Sequence, residues 1–241
     1  MQTEPKTREQ IEAIVQNAVE EAAEFVEAEL RDERTSLDSR SRLLEEMQRA
    51  REGVDQAVRE VVGDKARFPA VLGILGDWLE TDMADASAAE AAFGRDLELL
   101  VVDKGNHVLD VAQACAGVRG RVTLAPADLP ASAAVARPER AGIAPIASVL
   151  RVRDAASGIV ARFLADTWLA EDLQLALDCA ATTHVGARIV TRDGALVDAD
   201  GRVTVGTPTG NGAGEGVLAR RAELAQLAQR LSSLAVEMDG Y

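Results

Sequence analysis

Two apolar stripes with a heptad rhythm stand at opposite ends of this chain, and neither can be buried by the helix that carries it. On the N-terminal side Ile11, Val15, Ala18, Ala22, Val26, Leu30 and Leu37 follow one another in steps of 4, 3, 4, 4, 4 and 7, with Glu and Arg filling the gaps. The additional four-residue step is a stutter, which unwinds a coiled coil locally without ending it. The rhythm resumes at Leu37, Leu44, Met47, Val54, Val58 and Val61, with Arg40 and Arg51 in the remaining seam positions. Between Pro5 and Val61 there is no further Pro and Gly53 is the one interior Gly, so a single long amphipathic helix is expected, and it needs a partner. Val217, Leu224, Leu227, Leu231, Leu234 and Met238 supply it, with Arg220 in a polar seam slot. The arrangement this predicts is a helix that leaves, a compact domain, and a helix that returns antiparallel. Two separate amphipathic helices lying on the core are the alternative. At 1.5 Å per residue the returning segment Val217 to Tyr241 reaches about 36 Å. It should therefore cover Leu37 to Val61, leaving the stretch before Leu37 without its partner.

The middle of the chain, from Phe68 to Gly206, reads as mixed α/β. Short β-prone runs, Leu97 to Val102, Arg121 to Leu124, Ala187 to Thr191 and Gly201 to Val205, alternate with Ala-rich helical segments. Asp193-Gly194 and Asp200-Gly201 mark tight turns, so the last three strands should form an antiparallel meander. The stretch APADLPASAAVARPERAGIAP, with Pro126, Pro130 and Pro138, resists regular structure and divides the domain. On either side of it the order of elements is the same: helix SAAEAAFG, strand LELLVVD, helix HVLDVAQACAG and strand GRVTLAP, then helix AASGIVARFLAD, strand TWLAED, helix LQLALDCAATT and strand ARIVTRDG. Such a recurrence points to two pseudo-repeated halves.

Composition removes several functions. A net charge of -14 argues against an extended DNA-binding coat, although a local basic patch is compatible with it. No apolar run approaches the roughly 20 residues needed to span a bilayer, and MQTEPKTREQ lacks the apolar core of a signal peptide. A cytoplasmic protein with no membrane partner is expected. Cys115 and Cys179 lie in Ala-rich helices and read as buried small hydrophobes, while His107 and His184 stand outside any ligand spacing and read as surface or helix-end residues. No metal site is expected.

The segment from Gly206 to Gly216 holds five glycines and runs into a charged helix, as a phosphate-binding loop does. Its core, GNGAGEG, places Gly at alternate positions rather than as GxGxxG, and it has no Lys-Ser/Thr pair. No convergent Ser-His-Asp, Cys-His or carboxylate pair accompanies it, so an enzyme or nucleotide-binding module is the disfavoured reading.

In order, the segments LRDERTSLDSRSRLLEEMQRAREGVDQAVREVV, AVLGILGDWLE, AAFGRDLELLVVD, GRVTLAPAD and RIVTRDGALVDADGRVTVG, followed by a linker and GVLARRAEL, resemble the hinge of bacterial structural maintenance of chromosomes (SMC) proteins together with the adjoining ends of both coiled-coil arms. The resemblance covers nearly the whole chain. It implies an α+β, mixed α/β hinge of two pseudo-repeated halves flanked by antiparallel coiled-coil helices. The corresponding divisions are an incoming arm at 1–66, hinge halves at 67–130 and 131–209, and a Gly-rich linker with the returning arm at 210–241.

The same resemblance implies a homodimerising module for chromosome condensation and segregation, associated with the nucleoid, in a longer protein that has accessory condensin subunits. It implies no enzyme activity and no cofactor in this stretch, since ATP and Mg²⁺ belong to head domains, and the sequence contains no GxxxxGK[ST]. By residue it implies a dimer interface at Gly201, Val203, Val205 and Gly206, because Gly admits a close second backbone and an edge strand is a template for another strand. Where bacterial relatives carry two Gly-Gly pairs, this chain has Asp200 and Val205 beside Gly201 and Gly206. Relatives also carry a lysine cluster after those glycines. Here the first basic residues are Arg220 and Arg221, which become the candidates for DNA contact. A coiled-coil scaffold whose α/β domain binds a different protein partner is the alternative.

Overall fold

A computed structural model describes residues 8–206 and 216–239, without side chains at 8–12, 14 and 239. The chain divides into two compact units, Met1–Glu46 with Leu224–Tyr241, and Met47–Glu223.

The first unit is the helical pair. Helix α1 runs Arg8–Arg49 and helix α7 runs Val217–Asp239. Within this unit the sheltered positions of α1 are Val26, Leu30, Glu33, Leu37, Arg40 and Leu44, and those of α7 include Leu224, Leu227, Leu231, Leu234 and Met238. Both sets step by 3 and 4, the seam of an antiparallel coiled coil, and Leu44 and Leu234 are fully buried. Arg230 fixes the register with a two-pronged bond to Glu33, Nε to Oε1 at 2.8 Å and Nη2 to Oε2 at 2.9 Å.

That register corrects the expected pairing with Leu37 to Val61, because α1 does not extend to Val61. It ends at Arg49 in a Schellman cap, in which Glu52 N–H donates to Met47 C=O and Arg51 N–H to Gln48 C=O. Arg51 takes the left-handed conformation there, φ +50°, and Gly53 follows at φ +85°. Asp55 then opens helix α2 (Gln56–Gly63) by accepting from Ala57 N–H at 2.8 Å. The apolar residues Val54, Val58 and Val61 therefore belong to the core of the second unit, with Phe68, Val71, Ile74 and Leu100. N-terminal to Val26 the α1 stripe lies open among the described residues, with Phe25 64% exposed and Val15 and Val19 also exposed.

The second unit is α/β. Its first half consists of β1 (Val71–Ile74), β2 (Leu79–Thr81), α3 (Ala86–Phe93), β3 (Leu100–Val102), α4 (Val108–Ala114) and β4 (Leu124–Pro126). The second half consists of β5 (Ile143–Pro145), β6 (Leu150–Val152), α5 (Ser157–Phe163), β7 (Thr167–Ala170), α6 (Leu173–Ala181) and β8 (Arg188–Thr191), then β9 (Leu196–Val197) and β10 (Val203–Thr204). The order β-β-α-β-α-β recurs, and the pairing recurs with it: β1 is antiparallel to β3 and β3 parallel to β4, as β5 is antiparallel to β7 and β7 parallel to β8. Strands β2 and β6 join the halves as an antiparallel pair centred on Glu80 and Arg151. The second half alone carries the hairpin β9–β10, giving a sheet of order β10-β9-β8-β7-β5 beside one of order β1-β3-β4. The expected meander of β8, β9 and β10 is present, and the Pro-rich stretch is irregular from Leu129 to Arg140.

Candidate functional site

Three of the four sequence-derived interface residues meet along the free edge of the five-stranded sheet, and the fourth opens the turn that leads to it. Asp198 N–H donates to Arg202 C=O at 2.8 Å, while Val203 lies opposite Val197 and Thr204 opposite Leu196. Antiparallel ladders alternate bonded and non-bonded pairs, so Arg202 and Thr204 bond β9 while the N–H and C=O of Val203 and Val205 turn to the open side. Val203 is 44% exposed and Val205 62% exposed, and side chains two apart in extended backbone share one face. Gly201 and Gly206 adopt φ +85° and +100°, and no atom lies within 4 Å of a Cβ placed on either. Both glycines are thus required locally by their backbone conformation, and space remains in front of them for another chain.

The opposite edge of this sheet is closed. Gly142 C=O accepts from Glu171 N–H at 3.0 Å, which sets the alternation and turns Ile143 and Pro145 outward. Ile143 N–H is spent on Arg140 C=O, and Pro145 has no N–H to offer. Strand β4 of the three-stranded sheet has no neighbour on its outer side among the described residues: Leu100 N–H donates to Thr123 C=O and Ala127 N–H to Val102 C=O, leaving Leu124 directed away from β3, while Pro126, also outward, has no N–H to offer.

Arg220 and Arg221 are placed otherwise than the sequence suggested. Arg220 is 5% exposed, and both of its terminal nitrogens lie 3.4 Å from Glu52 C=O. Arg221 is half-buried and donates through Nη1 to Gly76 C=O and, at 3.2 Å, to Leu79 C=O. Burial holds its guanidinium below the ordinary arginine range. In the protomer both guanidinium groups, expected as candidates for DNA contact, are engaged with protein carbonyls. The fork of Arg221 serves instead to bind the turn Leu75–Leu79, whose Asp77 C=O accepts from Arg153 and whose Asp77 carboxylate pairs with Arg51 at 3.3 Å, while Arg220 holds the chain at Glu52.

The start of α7 is fixed by a residue the sequence did not mark. Glu90 Oε1 accepts from Leu218 N–H at 3.0 Å and from Ala219 N–H at 2.9 Å, satisfying two orphan donors of the helix's first turn. A Cβ at position 216 would overlap this carboxylate, which is why Gly216 precedes the helix. Burial pushes the Glu90 carboxyl above its ordinary range against the opposing pull of these two bonds and of Arg220. No local signal could reveal it, because 128 residues separate Glu90 from Leu218. The span Thr207 to Gly216, expected to be flexible, lies outside the described residues except for Gly216.

Of the histidines, His107 stands at the start of α4, a helix-end position as expected, and His184 departs from expectation. His107 is half-buried, with Nδ1 at 2.7 Å from Asp103, but His184 is completely buried rather than at the surface. Cys179 is buried and Cys115 half-buried. Among the described residues no group of three His, Cys, Asp or Glu side chains could hold a metal ion, and no helix is long and apolar enough to cross a membrane.

Residues 68–180 match the family model of the SMC proteins' flexible hinge domain. The chain is 28% identical over 193 residues to the chromosome partition protein Smc of Rhodopirellula baltica, covering 77% of this chain and 16% of that protein. With Smc of Myxococcus xanthus it is 28% identical over 212 residues, covering 84% of this chain and 17% of the relative. The chain thus spans about a sixth of the length of these relatives. In structure it is similar to the Geobacillus stearothermophilus SMC hinge domain, crystallised as an asymmetric dimer, with a TM-score of 0.78, 24% identity and 94% of each chain covered. The Pyrococcus furiosus Smc hinge with an extended coiled coil matches with a TM-score of 0.52 and 23% identity over 93% of this chain and 86% of that one. The matched segment is a hinge and not an ATPase head, and the α/β unit has the hinge fold. Residues 68–180 thus match the SMC flexible hinge domain, and the relatives and solved structures to which the whole chain is similar are SMC proteins.

Proposed function

We propose that this chain is the homodimerisation hinge of an SMC chromosome condensation and segregation ATPase, with the beginnings of both coiled-coil arms. The observation that carries the reading is β10, a strand whose outward N–H and C=O groups and exposed Val203 and Val205 have no covering element among the described residues. Isolated edges of this kind are normally shielded, as Pro145 shields β5, and an unshielded one suits pairing with another chain. Two different edges, β10 and the Leu124 end of β4, would allow a twofold-related partner to pair reciprocally and close the assembly. ATP, Mg²⁺ and accessory condensin subunits act elsewhere in the longer protein. Light scattering at tens of micromolar tests the reading. The chain is expected at twice its 25.5 kDa mass, and the double variant Val203→Asp with Val205→Asp at the mass of one chain. A single-chain mass for the unaltered protein would overturn it.

Any DNA contact at this hinge belongs to Arg119 and Arg121 rather than Arg220 and Arg221. Both are exposed and make no hydrogen bond or ion pair among the described residues. They flank Gly120, whose φ of +128° and close approach to the Ala57 methyl hold the segment against α2. Filter binding of duplex DNA to Arg119→Ser with Arg121→Ser tests the assignment: loss of two phosphate contacts lowers the log-log salt slope by about 2.

A further inference from the structure

The segment between the two halves is a strap clamped to the second half along its length. Leu129 C=O passes over Gly158, where a Cβ would overlap it. Pro130 C=O accepts from Arg162 Nε at 2.8 Å, and Val135 N–H donates to Ala165 C=O at 2.7 Å. Arg137 is the central clamp: Nε donates to Asp166 Oδ1 at 3.0 Å, Nη2 to Asp166 Oδ2, and Nη1 to Val185 C=O at 2.9 Å. Between strap, β5 and Trp168 lies a cavity of about 770 Å³.

Beside this clamp sits an ionisable group with nowhere to place a charge. His184 is completely buried, its ring meets Trp168 edge-on at 4.6 Å, and Nδ1 is 2.8 Å from Thr183 Oγ1. Its Nε2 is buried without a protein partner. The charges that reach it are Asp166, just before β7, and Arg137 and Arg140 on the strap. Asp166 is already occupied, since Trp168 Nε1 donates to the same Oδ1 at 3.0 Å that Arg137 uses. A proton on Nε2 would thus create a buried donor without an acceptor, next to a guanidinium of like sign, and each is costly in such surroundings.

We propose that His184 is an acid-triggered release for the strap: once charged, it takes Asp166 from Arg137 and frees residues 129–142 from the second half. Burial, followed by the Arg137 charge, lowers the affinity of His184 for a proton, outweighing the pull of Asp166. A histidine whose folded value lies below its ordinary 6.5 favours the closed strap while neutral, and that stability is lost as pH falls below 6.5. Asp166 keeps its negative charge while His184 titrates, because the bonds from Arg137 and Trp168 and the Arg137 charge hold it below the ordinary carboxylate range despite its burial.

NMR of the whole chain between pH 7.5 and 4.5 tests this through two reporters, the His184 ring Cε1–H and the strap amide of Val135. Their transitions are expected at one midpoint, with loss of Val135 protection. In His184→Gln, which keeps a polar group but cannot be charged, Val135 should stay protected through that range. Arg137→Gln should lose Val135 protection already at pH 7.5. A His184 titration that leaves Val135 unmoved overturns the proposal, as does strap release in His184→Gln at the wild-type midpoint. If the Gln variant does not fold, the coincidence or separation of the two wild-type midpoints decides.

Discussion

Proline at position 203 separates the two ladders in which β10 can take part. Val203 forms the non-bonded pair with Val197, so its N–H is not donated to β9, and removing it leaves the hairpin's own bonds in place. A partner strand on the open side does need that N–H. Each protomer then loses one intersubunit bond, worth about 0.5–1.5 kcal/mol net, and twofold symmetry doubles the loss whichever edge β10 meets. About 2 kcal/mol in the dimer corresponds to roughly a 30-fold rise in Kd, and the bulk of the ring adds to it. Sedimentation equilibrium over a concentration series gives Kd, and circular dichroism confirms that the protomer is folded. Thr204→Pro is the informative contrast, because Thr204 faces Leu196 in a bonded pair and its loss damages the hairpin itself. A folded Val203→Pro protein with an unchanged Kd would refute the assignment of β10 as the seam, whatever the family.

Other consequences follow from buried groups. Glu90→Ala removes the single oxygen that accepts from both first-turn N–H groups of α7 and should cost about 1–2 kcal/mol in a denaturant melt, whereas Glu90→Gln, which keeps an acceptor without the buried charge, should cost less. Because the folded carboxyl of Glu90 is raised above its unfolded value of 4.5, the protonated form is the better tolerated one. Its contribution therefore makes the chain more stable as pH falls through the raised value, a slope that Glu90→Gln should abolish. In the helical pair, Leu234→Ala should lower stability by about 2–5 kcal/mol, read as loss of helicity at 222 nm before the α/β unit melts. Arg230→Ala should shift the denaturant midpoint far less than Leu234→Ala, since its pair with Glu33 is about two-fifths exposed and screened by water.

The parts of this fold that were legible in sequence are those governed by short-range periodicity. Heptad steps marked both helices of the pair, and Asp-Gly turns marked the meander, because each signal arises among residues within a turn or two of one another. The end of α1 was not legible for the same reason. Val54, Val58 and Val61 keep the helical rhythm whether they face a second helix or the core of the α/β unit, and the residue that breaks the helix, Arg51, is not one that ordinarily adopts the left-handed conformation. Arg220 and Arg221 were misread through their charge. Two adjacent arginines look like a phosphate site until the carbonyls of Glu52, Gly76 and Leu79 are seen to converge on them.

The contrast between the two halves explains why one edge stayed open. In the second half, β8 has its outer side covered by β9, but in the first half β4 occupies the corresponding position with no strand beside it among the described residues. An intact single-chain duplication would have to supply a strand there. This chain instead carries one additional hairpin, attached to the second half, whose outer strand ends in exposed valines. The two edges differ in what they offer: β10 turns the N–H and C=O of Val203 outward, whereas β4 turns out Leu124 and Pro126, of which the proline has no N–H. Under the proposed homodimer, a second copy turned by a twofold axis would bring the two edges together reciprocally, and such an assembly would be self-limiting.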